Sequence, residues 1–316
     1  MAPLILNYNT LDVFTITPFT GNQLGLVHLP SSPSLSQAQK QQIAVEFNYS
    51  ETVFLHHKDS SNDDGIYEAQ IFTPKSELPF AGHPTIGTAV WVFENLEPRR
   101  EEIVIRLKAG DVKCRYERGR GLAGAGIPFD VRVHGRGVGW DRVVEVQEGS
   151  KWRDTSMGEG STVPLVSIVK GMNFALVDLG ADQKLLDQVK VTKDDILRYE
   201  DLDEGWQQEG LLGNVFYYLR PEQDDRVVRI AQRVIVIELE DPATGAASAA
   251  LTAYLALKRG GAGKSYSFEI DQGVEMGRAG KIFVEVGLTK AGDGVESVEL
   301  KGQAVEVMKG TLRMQV

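Results

Sequence analysis

The sequence predicts an α+β protein with two sheets, each curled around a buried helix, and three observations lead to this fold class. The chain has 316 residues, about twice the length of a typical domain. β-type runs are many and helical runs are few, and two of the helical runs are apolar on nearly all faces. One strand-turn-helix pattern also occurs twice. Two similar halves account for all three observations.

The repeated pattern is a β-type run, a tight turn and a helical run of small residues. The first copy runs from Glu77 to Ala89, and the second starts at Glu240, 163 residues after Glu77, with Glu, Pro and Gly at the same spacing. A glycine before a helix lets the backbone approach a ligand closely, and the first-turn N–H groups favour an anion. Two such turns facing each other would hold one carboxylate-bearing molecule between them.

The remaining elements follow from local patterns in chain order. β-type runs at 12–16 and 24–29 flank the turn Pro18-Phe19-Thr20-Gly21-Asn22 and predict a hairpin. Capping serines and a polar face predict a helix over 34–47. A strand is predicted from Glu51 onwards, further strands at 103–107, 112–116, 166–169, 174–177, 215–219, 227–239, 266–270, 282–286, 295–300 and 305–307, and one or two short helices over 182–199.

Two glycine-rich stretches organise the chain. Residues 119–126 are the predicted seam between the halves, which gives an N-terminal half of 1–125 and a C-terminal half of 126–316, whose final strands are free to return to the first half. Residues 136–161 are polar with weak periodicity and predict an exposed loop. No short-period repeat occurs, which excludes solenoids and propellers.

The composition favours a small molecule as the binding partner of this protein. A net charge of −10 and a pI near 5.1 exclude nucleic acid and anionic membranes as main partners, since both need a basic face. Cys114 is the single cysteine, which excludes an internal disulfide, and it is predicted to be a core residue of a strand. No segment reaches the roughly 18 apolar residues of a membrane span, so a cytoplasmic protein is expected.

Two side chains are candidates for moving or binding a proton. Glu51 follows the turn Asn48-Tyr49-Ser50 and opens an apolar strand, a position where desolvation would raise its pKa towards neutrality. On local sequence alone, a solvated glutamate at a strand end is the more common explanation. His83 lies at the mouth of a buried helix, where it could bind a substrate carboxylate, shuttle a proton or simply cap the helix.

Asp241 and Asn22 are candidates for binding substrate. Asp241 stands where the first turn has Leu78, and it serves either as a helix-terminal charge or as a clamp on an amine or hydroxyl. Asn22 is either a turn residue or an amide that holds a carboxylate or carbonyl. The histidines have no metal-ligand spacing. Gly119, Gly121 and Gly124 match a nucleotide motif without a following helix, and a Gly-x-Ser-x-Gly elbow is absent.

These segments together resemble the phenazine-biosynthesis PhzF-like family, relatives of diaminopimelate epimerase. The most specific signature is Pro79-Phe80-Ala81-Gly82-His83-Pro84-Thr85. The matching stretches occur in the family's order across nearly the whole chain, at 12–15 with 18–22, 48–54, 72–74 with 77–89, 240–245 and 272–278.

The resemblance implies a fold, an activity and a site. The fold would be diaminopimelate epimerase-like, with two pseudo-symmetric halves, each a β-barrel-like sheet around a central helix, and an active site in the cleft between them. The activity would be a cofactor-independent isomerisation in a cytoplasmic homodimer of secondary metabolism. Glu51 would carry the proton, His83 and Asp241 would bind and polarise the substrate, and further substrate contacts would come from Asn22, Gly82, Pro84, Thr85, Gly245 and Ala246.

Two departures from the relatives affect the chemistry. Epimerase relatives exchange the proton between two cysteines, and this chain has Gly82 and Gly245 at the matching turn positions, so a thiol pair is unavailable for racemisation. The PhzF-like family commonly has Ser where this chain has Ala246, which predicts a substrate other than the typical phenazine precursor. Two other functions remain open: another rearrangement or a hydrolytic step on the same scaffold, and a catalytically silent small-molecule binder.

Overall fold

The computed structural model describes residues 3–32, 35–57, 64–148, 152, 161–180, 183–221, 227–236 and 238–314. The chain forms two compact units. Unit 1 contains residues 1–127 and 299–316, and unit 2 contains residues 128–298. The sequence analysis placed a boundary between two similar halves after residue 125. That division into halves stays a prediction.

Unit 1 is built mainly from strands, with two helices. Its strands are β1 Leu4–Val13, β2 Asn22–Leu29, β3 Glu51–His56, β4 Ile66–Phe72, β5 Glu77–Leu78, β6 Glu102–Leu107, β7 Gly110–Glu117, β8 Leu122–Gly126 and, near the C-terminus, β20 Ala304–Met314. Its helices are α1 Gln37–Phe47 and α2 Gly82–Asn95, and Arg118–Arg120 form a 3-10 turn. Strand β19, Val295–Gly302, enters this unit at residue 299.

The strands of unit 1 pair in the order β20, β1, β2, β3, β4, β6, β7, β8, β19, and β5 adds to β4. The pairs β2–β3 and β4–β6 are parallel and the others are antiparallel. Helix α2 packs against seven of these strands, β1, β2, β3, β6, β7, β8 and β20. It can do so because ten of its fourteen residues are buried, as its apolar sequence predicts.

Unit 2 has the same character. Its strands are β9 Arg132–Val133, β10 Val138–Gly139, β11 Thr162–Val163, β12 Leu165–Val169, β13 Met172–Asp178, β14 Leu211–Leu219, β15 Val227–Val236, β16 Leu239–Asp241, β17 Ser265–Gln272 and β18 Gly280–Leu288. Its helices are α3 Trp140–Gln147, α4 Gln183–Leu186 and α5 Gly245–Arg259, and Tyr199–Asp201 form a 3-10 turn. The described residues therefore form a mostly β structure with five α-helices.

The main sheet of unit 2 pairs in the order β9, β12, β13, β14, β15, β17, β18, and β16 adds to β15. The parallel pairs are β13–β14 and β15–β17, and β10 pairs with β11 separately. Helix α5 packs against β12, β13, β14, β17 and β18. None of the described helices combines the length and apolar character needed to cross a bilayer.

The two turns predicted as copies are held by hairpins of identical register. In unit 1, Ile71 pairs with Leu78 and Phe72 pairs with Glu77. In unit 2 the pairs are Val234 with Asp241 and Ile235 with Glu240, and each of these residues lies 163 positions after its counterpart. Each hairpin leads through a three-residue turn into a long buried helix, α2 or α5. The repeated spacing in the sequence thus corresponds to a repeated hairpin geometry.

Two predicted segments differ from the structure. The predicted helix at 34–47 begins at Gln37, because Ser36 forms a capping box with Gln39; residue 34 lies outside the described residues. The segment 136–161, predicted to include an exposed loop, also contains α3, which the sequence analysis did not predict; its Trp140 is buried and donates a hydrogen bond from Nε1 to the carbonyl of Trp152 at 2.9 Å. Residues 149–151 and 153–160 of that segment lie outside the described residues.

Candidate active site

Glu51 lies at the first position of β3, where the chain leaves α1. Asn48 ends α1 in the left-handed conformation, with φ of 51°, and this turn sends the chain into the strand. Glu51 then pairs with Leu24 in the parallel ladder between β2 and β3. The four residues that follow Glu51 are buried, so its carboxylate stands at the rim of the core. This is the turn-to-core position that the sequence predicts.

His83, the second residue of α2, lies beside Glu51. Its Nε2 atom is 3.7 Å from Oε2 of Glu51, and the two side chains are only 7% and 18% exposed. The same nitrogen is 3.2 Å from the backbone carbonyl of Gln23. Because a carbonyl can only accept, Nε2 carries the proton of this hydrogen bond. The structure therefore brings a protonated ring nitrogen next to the carboxylate predicted to move a proton.

The environment of Glu51 raises the pKa of its carboxyl group above the ordinary value. The main cause is burial, which penalises the charged form, and a hydrogen bond from the Ser50 side chain acts in the opposite direction. Burial of the carboxylate therefore outweighs its local hydrogen bonding. A raised pKa makes the ionised carboxylate a stronger base towards a proton on carbon.

The other predicted residues of unit 1 surround this pair. Asn22 is 3% exposed and opens β2, next to Gln23, whose carbonyl holds His83. Gly82 begins α2, and the first bond of the helical ladder is donated by Thr85 N to the carbonyl of Ala81. Pro84 lies in the first turn, where a residue without an N–H removes no helical hydrogen bond. The N-cap residue of this helix is Ala81, whose side chain makes no capping hydrogen bond.

Turn 2, the segment from Glu240 to Thr244, leads into α5 in unit 2. Oδ2 of Asp241 accepts a hydrogen bond of 2.6 Å from the Thr244 hydroxyl. Gly245 is buried, Ala246 is half-buried, and the N-cap residue Thr244 makes no side-chain capping hydrogen bond. Asp241 is half-buried as well. The second predicted set thus forms a local cluster at the N-terminus of its own helix.

A buried amide that the sequence analysis did not assign supports turn 2. Gln272, at the end of β17, donates to the backbone carbonyl of Asp241 at 2.7 Å and to the Thr244 hydroxyl at 3.0 Å. Its Oε1 accepts from Thr244 N at 3.0 Å and from Nε2 of Gln232 at 2.8 Å, and Gln232 also donates to Ser248. Gln272 opens the matched stretch 272–278, and this was the only signal in the sequence that could have found it.

The glutamate shared by the two turns has a structural partner in both units. Gln70 donates a hydrogen bond of 3.0 Å to Glu77. Arg233, which lies 163 residues after Gln70, donates two hydrogen bonds of 2.8 and 2.6 Å to Glu240. The repeated glutamate therefore ties the turn to the preceding strand in both units.

A serine, a histidine and an aspartate in unit 2 mimic a hydrolytic triad. Nε2 of His134 is 2.9 Å from Oγ of Ser167, but Nδ1 accepts a hydrogen bond of 3.0 Å from the backbone N–H of Asp203. The ring therefore carries its proton on Nε2 and donates to Ser167, whose hydroxyl donates to Asn173. A triad needs the opposite tautomer, with Nε2 accepting from the serine. Ser167 is also fully buried, so this group is structural.

The described residues contain no group of three or more His, Cys, Asp or Glu side chains that could hold a metal ion. Cys114 is buried in β7, as predicted for a core residue. Burial raises the pKa of its thiol to about 12. It is thus neutral at physiological pH and unsuited to act as a nucleophile.

Solved structures of similar fold cover nearly the whole chain. A phenazine biosynthesis protein of the PhzF family from Bacillus anthracis has a TM-score of 0.75 at 19% identity, with 98% of this chain and 99% of that one covered. A predicted epimerase from Pseudomonas aeruginosa has a TM-score of 0.68 at 25% identity, with 97% and 99% covered. The fold is therefore that of the PhzF and epimerase-like proteins.

Sequence comparison leads to the same group. An uncharacterised isomerase of Pasteurella multocida is 29% identical over 305 residues, which are 96% of this chain and 93% of that protein. The trans-2,3-dihydro-3-hydroxyanthranilate isomerase of Pseudomonas fluorescens is 27% identical over 307 residues, covering 97% and 99%. The model of the phenazine biosynthesis-like protein family matches residues 11–310, so the chain belongs to this family, which confirms the predicted resemblance. These relationships identify the chain as an isomerase.

Proposed function

We propose that the protein is a cofactor-independent isomerase that moves a proton within a small carboxylated metabolite, with Glu51 as acid and base. One observation carries the proposal: a buried glutamate of raised pKa lies 3.7 Å from the imidazole of His83, in the first turn of α2. Within the described part of the chain this carboxylate has no buried lysine or arginine partner that would make it a structural ion pair, so a chemical role explains its desolvation best.

The proposed reaction begins with the ionised form of Glu51. The carboxylate takes a proton from one carbon of the substrate, the electrons of that C–H bond shift along the neighbouring unsaturated system, and the protonated carboxyl returns the proton to a second carbon. Glu51 ends in its starting state, so no external acid or base is consumed. The N–H at Nε2 of His83, which donates to the carbonyl of Gln23 in this structure, would be shared with the substrate and stabilise negative charge that develops during transfer.

The substrate is proposed to lie in a cleft between two pseudo-symmetric halves, each a β-barrel-like sheet around its central helix. The repeated hairpin registers and the two long buried helices support this symmetry. In this arrangement the first-turn N–H groups at Gly82 and Gly245 bind the substrate carboxylate. Asp241 then binds an amine or hydroxyl of the substrate. A substrate-bound crystal structure in which the ligand contacts Glu51 and is far from Asp241 would contradict the shared site.

The substrate class follows from the groups available at the two turns. A carboxylate fits the helix N-termini, and a hydrogen-bond donor fits Asp241. Ala246 presents a methyl group where the family commonly has a serine hydroxyl, so this chain makes one hydrogen bond fewer at that position. We therefore propose a substrate that differs from the phenazine precursor near turn 2.

Isotope labelling tests the proton transfer. The substrate would be the metabolite that copurifies with the protein, identified by mass spectrometry, with trans-2,3-dihydro-3-hydroxyanthranilate assayed in parallel. The product should have the mass of the substrate, and turnover in D2O should place deuterium at the receiving carbon, because exchange at the carboxyl competes with direct return of the proton. Substrate deuterated at the donating carbon and turned over in H2O should give the complementary fraction. Oxygen-18 uptake from labelled water would instead support a hydrolytic reaction.

The purified active enzyme should also contain no stoichiometric cofactor. Neither the sequence motifs nor the described side chains provide a nucleotide cradle or a set of metal ligands. We expect no flavin or pyridoxal absorbance, and a metal content far below one ion per chain by elemental analysis. Activity that a chelator removes and one added metal restores would overturn this expectation.

Two other functions compete with the proposal. A hydrolase would need an activated nucleophile, and the buried Ser167 with its donating His134 does not provide one. A silent binder would gain nothing from a desolvated carboxylate, because burial of Glu51 costs stability and only acid–base chemistry would make use of its raised pKa. Product formation by the wild type and its loss in a Glu51 variant distinguish the isomerase from the silent binder.

A further inference from the structure

A cavity in unit 1 is lined by aromatic and amide side chains. It has a volume of about 450 Å³, and its lining includes His28, His57, Trp91, Asn7, Asn9 and Ile5. It lies away from the proposed active site, since Glu51 begins β3 and His57 follows its end. Six residues of extended chain place the two about 20 Å apart. The cavity is therefore separate from the Glu51 and His83 pair.

A directional chain of hydrogen bonds runs along the cavity. The amide nitrogen of Asn9 lies 2.7 Å from the Glu306 carboxylate, which can only accept, so the amide donates there. The Asn9 oxygen then accepts from Nε2 of His28 at 2.6 Å. Nδ1 of His28 is left as an acceptor for Nε2 of His57, at 2.9 Å. Glu306 thus fixes the tautomers of both rings through Asn9.

This series of hydrogen bonds ends at a hydrogen-bond acceptor, Nδ1 of His57. With its proton on Nε2, neutral His57 keeps a lone pair on Nδ1, and this atom makes no hydrogen bond to the described residues; His57 also lines the cavity. Burial lowers the pKa of both rings, that of His28 to about 4, with the neighbouring His57 as a second cause for His28. Both imidazoles are therefore neutral at physiological pH, and the lining residues that the structure describes include no cation for a carboxylate.

Three aromatic rings in contact with one another contribute to the cavity lining. The rings of His28 and Trp91 have centroids 4.4 Å apart, and His57 meets Trp91 edge-on at 6.3 Å. Ile5 adds an exposed apolar wall. Aromatic rings packed in these orientations accommodate a further ring by offset stacking or edge contacts.

We propose that this cavity is a second binding site, for a neutral aromatic molecule with an O–H donor, such as a phenol, which donates its proton to Nδ1 of His57. The acceptor at the end of the chain selects the hydroxyl, and the surrounding rings select the aromatic body. The class of ligand is set by a neutral acceptor beside aromatic faces, in contrast to the carboxylated substrate proposed for the helix N-termini.

A pair of matched probes tests the site. 4-Fluorophenol and 4-fluoroanisole have the same fluorinated ring, but only the phenol has an O–H donor. Titrations followed by ¹⁹F NMR should give a dissociation constant about five- to tenfold lower for the phenol, the size expected for one hydrogen bond. Equal affinities, or no binding of either probe, would overturn the proposal.

Two adjacent histidines supply the variants. His57→Phe keeps an aromatic ring and removes the acceptor, so the preference for the phenol should disappear. His56→Phe is the control, because His56 contacts Gln70 through Nε2 and does not line the cavity. A preference that survives in His57→Phe would contradict the assignment. Both variants should keep the isomerase activity of the wild type.

The tautomers can be read without any substitution. In wild type labelled with ¹⁵N-histidine, His28 and His57 should both carry their proton on Nε2, and 4-fluorophenol should shift Nδ1 of His57 most. A proton on Nδ1 of either ring in the free protein would refute the proposed chain of hydrogen bonds and the acceptor at its end.

Discussion

Replacement of Glu51 by glutamine is expected to lower the turnover number by roughly 10²- to 10⁴-fold, the usual contribution of a positioned acid–base group. The amide has nearly the size of the carboxyl group and keeps its hydrogen-bonding capacity, but it cannot accept a proton from carbon. Substrate binding should survive, because the helix N-termini and His83 are unchanged. Turnover by steady-state assay and binding by calorimetry, on the same samples, separate the two effects.

The stability of the same variant provides an internal control. The pKa of Glu51 is raised in the folded state above its ordinary value of 4.5, so its folding contribution is most favourable below that value and is lost as the pH rises through the raised pKa. Glutamine has no charge to desolvate. Glu51→Gln should therefore be more stable than the wild type at pH 7, and the difference should shrink towards pH 4, as measured by urea unfolding. An inactive variant that is also more stable has lost chemistry and kept its fold.

Near-normal turnover by Glu51→Gln with the true substrate would remove Glu51 from the mechanism. The base would then be His83 or Asp241, the other two ionisable groups predicted to contact the substrate. A variant that is inactive and also less stable at every pH would attribute the loss to misfolding and contradict the role of desolvation.

Much of the candidate site could be predicted from sequence because its signals are local. The Glu, Pro and Gly spacing specifies a hairpin, a turn and a helix start within a short stretch of chain, and the structure has the same register at both copies. Glu51 could be predicted because a turn and then an apolar strand place it at the rim of the core. Cys114 could be assigned to the core because it lies within a local strand-like run.

The long-range contacts could not be predicted, because the pairing of distant strands creates them. The approach of His83 to Glu51 depends on the parallel ladder of β2 and β3 and on the carbonyl of Gln23, none of which a local pattern encodes. The support of turn 2 by Gln272 joins residues 31 positions apart. Helix α3 was missed because its surroundings are rich in glycine and polar residues.

The two turns also differ in a way that predicts unequal stability effects. The Arg233 and Glu240 side chains are 9% and 8% exposed, and the guanidinium group binds the carboxylate through two nitrogens. In the first turn, Glu77 is held by the neutral Gln70 and by Lys108, which is 61% exposed. Loss of the carboxylate charge therefore removes the direct partner of a buried cation in unit 2. In unit 1 the buried Lys40 is also close enough to feel the charge of Glu77, but it donates its hydrogen bond to Gln70 and keeps that bond when Glu77 is neutralised.

Glu240→Gln is expected to lower the free energy of unfolding by about 3–5 kcal/mol, the cost of breaking a buried ion pair on one side. Glu77→Gln, the matched control, should cost at most about 1 kcal/mol, since its direct partners are neutral or exposed and Lys40 keeps its hydrogen bond to Gln70. Urea unfolding of both variants can be followed by tryptophan fluorescence, because each unit contains tryptophan. Trp91 belongs to unit 1, and Trp140, Trp152 and Trp206 belong to unit 2.

The double variant Arg233→Met/Glu240→Leu removes both charges and should recover much of the lost stability, because no buried charge is left unpaired. If Glu240→Gln and Glu77→Gln lowered the free energy of unfolding equally, the burial of the ion pair between Arg233 and Glu240 would not determine how much that pair contributes to stability. If the double variant were as unstable as Glu240→Gln, the loss of stability would come from altered packing and not from the unpaired charge. The expected order of stability places Glu240→Gln far below Glu77→Gln and the double variant between them, because an unpaired buried charge at turn 2 destabilises the fold more than any lost packing contact there.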